Sequence, residues 1–171
     1  MSNAGGLGVP GFNSGTDVRR DAAEETAEDM RSAIHRTKEL TDKPFGIDIV
    51  PGSADAGGFS TGIVDIMREE GVKIMVLAGE SFEEEDVVPF KQEGFTIIAR
   101  QLNPTIKDAI QLEAWGVDII VATDCDEGGC MPSGSTGTMA EVALLADAVS
   151  VPVLAAGGII TTRSSPAQAP S

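Results

Sequence analysis

WGVDIIVATDCDEGGC, residues 115 to 130, is the stretch that decides the fold. Gly116 closes a helical pattern, VDIIVAT runs on as an almost unbroken apolar segment, and a polar loop with a Gly-Gly pair follows. Successive side chains of a strand point to opposite faces, so a continuous apolar run is covered on both sides. That is the habit of parallel strands flanked by helices.

The same unit recurs along the chain. PFGIDIV (44–50), VKIMVLA (72–78), FTIIAR (95–100) and VPVLAAGG (151–158) read as strands, and a short strand is expected around Leu7 to Val9, making six in all. Helical patterns lie between them. One starts at Thr16, with Thr16 or Asp17 as N-cap and Ala23, Ala27, Met30, Ile34 and Leu40 at helical spacing. Others cover 60–71, stopped by Gly71; 82–94, ending at Gly94; 103–116, with Pro104 near the first turn; and 136–150. Strict strand–helix alternation implies an α/β protein with a parallel sheet, and two architectures fit: an open doubly wound sheet and a (β/α) barrel. In either, chemistry belongs at the carboxyl ends of the strands. Asp48, Gly79-Glu80, Gln101, the segment Thr123 to Cys130, and Gly157-Gly158 all fall there.

Bulk composition narrows the function classes. With 27 acidic against 12 basic residues, the net charge of −15 disfavours nucleic acid and anionic membranes as partners and leaves a small-molecule substrate. No apolar run is long enough to span a bilayer, and the N-terminus lacks the pattern of an export signal, so a cytoplasmic protein is expected. Cys125 and Cys130 do not make a disulfide framework. Their spacing, with no second Cys pair or nearby His, does not make a zinc site either. Cys130 as a nucleophile needs a base, and the single histidine, His35, belongs to the first long helix as a surface or boundary residue. The run EEED (83–86) suits the start of a helix, where acidic side chains favour the macrodipole. A Gly pair straight after a buried parallel strand, as in AAGG, frees backbone N–H groups for an anion or simply makes a turn. ITTRSSPAQAPS (160–171) is polar and aperiodic and is expected to be a disordered tail after a single unit at 1–159.

Taken together, SNAGGLG (2–8), TDKPFGIDI (41–49), WGVDIIVAT (115–123), DEGG (126–129) and VPVLAAGGI (151–159) resemble the nitronate monooxygenase, or 2-nitropropane dioxygenase-like, family. That family includes FMN-dependent enoyl-ACP reductases. The resemblance implies a (β/α) TIM-type barrel, here incomplete with about six of eight strands. It implies non-covalent FMN at the carboxyl face and oxidation of alkyl nitronates by O2. A reductase using NAD(P)H on a quinone or enoyl thioester, and a catalytically inactive barrel fragment, are the alternatives. By resemblance Gly5 and Gly6 lie near the flavin, and Asp48 stands where an Asn is usual beside the ring. Gly128 and Gly129 belong to a loop over the flavin, and Gly157 and Gly158 supply amides to its phosphate. Cys130 occupies the position of the family's catalytic histidine and is not expected to serve as the base. Missing strands leave two sheet edges open to self-association.

Overall fold

The computed structural model describes residues 1–11, 20–50, 55–128 and 136–159. Five parallel strands lie side by side in chain order: β1 (Gly46–Ile49), β2 (Ile74–Gly79), β3 (Thr96–Gln101), β4 (Ile119–Ala122) and β5 (Val153–Ala155). A doubly wound sheet reverses its strand order at a switch point. The unbroken order here is that of a (β/α) barrel wall, and it settles the choice the sequence leaves open.

The expected sixth strand near Leu7 to Val9 is reduced to an isolated parallel bridge, Gly8 to Phe45. Gly46 N–H donates to the Gly8 carbonyl at 2.9 Å and Asp48 N–H to the Pro10 carbonyl at 3.1 Å. Pro10 has no N–H to return, so the ladder cannot develop in both directions. These contacts still seat residues 8–10 along the outer edge of β1.

Helix α1 (Ala23–Leu40) packs Ala27, Met30, Ala33 and Ile34 inward at spacings of three and four. It starts later than the sequence implies, with Ala22 rather than Thr16 or Asp17 as N-cap. Residues 20–22 are not helical, and the Arg20 guanidinium reaches forward to Asp29 at 2.6 Å. Leu40 leaves the apolar stripe and is 76% exposed. Helix α2 (Phe59–Glu70) lies against α1, and their shared rim is an ion cluster. Glu70 accepts from Lys38 at 2.8 Å and sits 2.9 Å from His35 Nε2, and these partners hold its carboxyl down at about 2. His35 is thus an exposed surface residue, as expected.

The expected helix over 82–94 is broken in two: a 3-10 turn at Glu84–Asp86 and a short α3 (Val88–Gln92). Glu83 and Asp86 form a reciprocal capping box that completes the first turn by itself. Pro89, in the first turn of α3, has no N–H to bond back across the break. Helix α4 (Ile106–Trp115) opens on a second capping box, Thr105 with Asp108, and ends at Gly116. Helix α5 (Thr138–Ala148) precedes β5.

Burial on the two sheet faces is unequal. Ile47, Ile49, Met75, Leu77, Ile97, Ala99, Ile120 and Ala122 are fully buried beneath the helices. Of the alternate positions, Ile98 is buried, Val76, Ala78, Ile119 and Val121 are half-buried, and Leu154 is exposed. Apolar on both sides, the strands are sealed on the outer side and only partly covered on the inner one. Ile34→Ala, in a site with 0% exposure, is expected to lower unfolding free energy by about 3 kcal/mol. Leu40→Ala should leave it within about 0.5 kcal/mol. Urea denaturation of both variants checks which face of α1 carries the core.

Candidate active site at the carboxyl ends of the strands

Arg100 is the penultimate residue of β3, on the face opposite buried Ala99 and Gln101. That puts its guanidinium on the inner side of the sheet, where it pairs with the Glu127 carboxylate. The same Glu127 oxygen, Oε2, accepts the Thr123 hydroxyl at 2.8 Å. Thr123 follows β4 directly and is buried, so two neighbouring strand ends converge on one carboxylate. The other oxygen, Glu127 Oε1, is buried with no partner among the described residues. A buried carboxylate oxygen without a donor is costly, so this atom marks the strand-end rim as a place where further bonding is called for.

The loop that carries Glu127 is clamped from three sides. Glu127 N–H donates to the Asp124 carbonyl at 2.9 Å, closing a tight turn. Asp126 Oδ2 accepts from Thr138 N–H at 2.8 Å, so this carboxylate caps the start of α5. The Thr138 hydroxyl in turn donates to the Ala156 carbonyl at 3.2 Å, tying α5 to the end of β5. Beneath the turn lie Gly157 and Gly158, with φ of 90° and 66°. A Cβ on Gly157 would stand 2.9 Å from Glu127 Cα, and one on Gly158 3.0 Å from Asp126 Cβ. Both the left-handed backbone and the close approach demand glycine here.

Asp48 lies near the end of β1, half-buried, on the same face as Arg100. Burial raises its carboxyl above the ordinary range, and the positive charge of Arg100 works in the opposite direction. Asp124, 3% exposed, has an oxygen without a partner among the described residues. The Glu141 carboxyl of α5 is raised chiefly by its own burial and further by the Asp124 charge.

The structure therefore brings Asp48, Gly157 and Gly158 to one end of the sheet, with Gly128 exposed beside them. Gly129 and Cys130 lie outside the described residues, as does the 160–171 tail. Gly5 and Gly6 are not brought to this rim. They precede the segment that runs parallel to β1, so they lie at the amino end of the sheet, away from the other candidates. Ser2 Oγ donates to the Pro44 carbonyl at 2.9 Å, and Asn3 Nδ2 to Leu40 O at 2.9 Å, which fastens this stretch where α1 ends and β1 begins. Gly5, at φ 87°, terminates a 3-10 turn there. Arg100 is the rim residue that motif reading passed over, whereas Thr123 opens the strand-end segment the sequence already singles out. The available signal was a lone basic residue closing the apolar run FTIIAR.

An FMN ring system, the group the sequence resemblance implies, fits the inner face at this end. Half-buried Val76 and Val121 are apolar on that face beside buried Ile98, Arg100 offers a cation, and Glu127 Oε1 has no partner among the described residues. The phosphate end fits less directly, since the acidic turn rests on the Gly157-Gly158 pair and the Asp126 carboxylate adjoins it.

Asp48 yields a stability test. With its folded pKa above the unfolded value of about 3.9, the ionised form is disfavoured by folding, so the penalty appears as pH rises through that range. Asp48→Asn should be more stable than the parent at about pH 7 and indistinguishable from it below about pH 3. Paired urea titrations at the two pH values check the sign.

Comparison with known proteins places the chain. The nitronate monooxygenase family profile matches residues 1–167. A 5-hydroxy-7a-methyl-1-oxo-octahydro-1H-indene-4-carboxyl-CoA dehydrogenase of Rhodococcus jostii is 34% identical, the match covering 95% of this chain and 40% of that protein. A nitronate monooxygenase of Paraburkholderia phytofirmans is 28% identical over 94% of this chain and 52% of its own length. Among solved structures, FabK from Thermotoga maritima superposes with a TM-score of 0.74 at 28% identity, covering 95% of this chain and 46% of that one. The chain spans about half the length of the relatives it matches.

Proposed function

The chain belongs to the nitronate monooxygenase family, and from that membership we propose that it forms part of a flavin-dependent oxidoreductase that takes FMN and oxidises alkyl nitronates with O2. The observation that carries the reading is Arg100, a cation fixed by Glu127 at the inner face among apolar strand residues. A nitronate is an anion, and a guanidinium on a partly desolvated face attracts it more strongly than one in bulk water.

FMN, when bound, would supply the electron acceptor for the substrate carbon, with O2 as the final oxidant. The chain's residues do the rest. Val76, Ile98 and Val121 keep water from the inner face, and Arg100 orients the anion. Glu127, anchored by Thr123, holds the guanidinium in place and keeps Oε1 available to a hydroxyl donor of the bound molecule. Asp48 would oppose negative charge on the site when ionised. Gly128 and Gly129 would border the flavin, and Gly157 and Gly158 its phosphate, beside Asp126. Cys130 stands at the family's histidine position, where a thiol with an ordinary pKa of about 8.5 is mostly protonated at neutral pH. A nitronate arrives already deprotonated and needs no base, whereas a neutral nitroalkane does.

A second reading has its own support. The relative at 34% identity is named for a CoA ester, which favours a thioester oxidoreductase on the same flavin site. Anaerobic mixing of the flavin-loaded protein with a nitronate and, separately, with NADPH separates the two by which reagent bleaches the flavin band. For the nitronate reading, bleaching by nitronate alone is expected, and Arg100→Gln should slow it by tenfold or more, roughly what loss of one charge-stabilising donor costs. Bleaching by NADPH alone selects the second reading. A protein that retains no flavin contradicts both.

A further inference from the structure

The break between the 3-10 turn and α3 has a consequence away from the strand-end site. A five-residue helix cannot fill the layer beside the twelve-residue α2, and a cleft of about 220 Å³ opens between them. Its walls are Ile49 and Leu77 from the outer side of the sheet, Val64 from α2 and Phe90 from α3. Ser60 lines it as well. This residue is 5% exposed, and its hydroxyl has no hydrogen-bond partner among the described residues. Buried hydroxyls are normally satisfied, so an orphan lining a cleft marks where a ligand atom belongs.

Charge selects the ligand. Asp55, Glu85 and Asp86 border the cleft together with Arg68. Arg68 is committed elsewhere, to Glu93 at 2.7 Å and Asp65 at 2.6 Å, with its guanidinium carbon 6.0 Å from the Phe90 ring centroid. The amino end of α2 does not offer itself to an anion, because Asp55 already accepts from the N–H groups of Phe59 at 3.0 Å and Ser60 at 2.7 Å. What remains is an apolar slot with a hydroxyl at its wall and a rim on which three carboxylates, Asp55 and Asp86 among them bonded within caps, outnumber one guanidinium.

We propose that the α2–α3 cleft binds a small organic cation with an apolar body, of the aryl- or alkylammonium class, with its donor on Ser60 Oγ. The volume lies below the usual 300–1,000 Å³ of drug-sized pockets, which limits the ligand to a single ring or a short chain. The site is on the opposite side of the sheet from Arg100, so occupancy does not depend on a flavin.

The test uses the full chain labelled with nitrogen-15 and three probes of one shape: benzylammonium, benzyl alcohol and benzoate. Saturable shifts of the Ser60, Thr61, Val64 and Phe90 amides are expected with benzylammonium, with benzoate at least tenfold weaker. Ser60→Ala removes a hydroxyl that has no partner among the described residues, so it should fold normally and bind benzylammonium about fivefold more weakly. Val64→Phe should abolish the shifts by filling the slot. Unchanged affinity in Ser60→Ala, benzoate binding as tightly as benzylammonium, or no saturable shift at these amides would overturn the assignment.

Discussion

Five parallel strands in unbroken chain order impose the constraint on which everything else rests. Each crossover between neighbouring parallel strands is right-handed, so every helix falls on the same side of the sheet. The outer face is therefore sealed by helices, and the inner face keeps apolar side chains that only other parts of a barrel, or a ligand, can cover. Parallel alignment also brings all the strand carboxyl ends together at one rim. Arg100, Thr123, Asp48 and the Gly157-Gly158 pair meet there because register places them, although they are widely separated in sequence.

Within that rim the acidic turn at 124–127 is the organising element. It rests on two glycines that admit no Cβ, caps α5 through Asp126, and delivers Glu127 to Arg100. The carboxylate–guanidinium pair is only partly compensated, since one Glu127 oxygen has no donor among the described residues. Natural sites tolerate such deficits where a ligand completes the bonding.

Much of this was legible in the residues. The strands declared themselves because parallel strands are apolar on both faces, and α2 and α4 did because Gly71 and Gly116 end them. The choice between doubly wound sheet and barrel was not legible, because strand order is a property of crossovers rather than of any local pattern. The helix over 82–94 was misread because a capping box satisfies a turn without needing the next one, and Pro89 then forbids continuity. Glycines at 5 and 6 carry no mark of which end of a strand they flank, and only the pairing of residues 8–10 with β1 put them at the amino end. Arg100 was overlooked because a basic residue closing a strand reads equally well as a solvated terminus. Its meaning depends on Glu127, a partner 27 positions away.

The central claim is that a flavin sits on the inner face at the carboxyl rim. Titrating the nitrogen-15-labelled chain with FMN and following its amide resonances tests it most directly. Saturable shifts are expected at Arg100, Thr123, Glu127 and Gly157, with Gly5 and Gly6 unmoved. Shifts centred on Gly5 and Gly6, or an unperturbed Arg100 and Glu127 at saturating FMN, would contradict it.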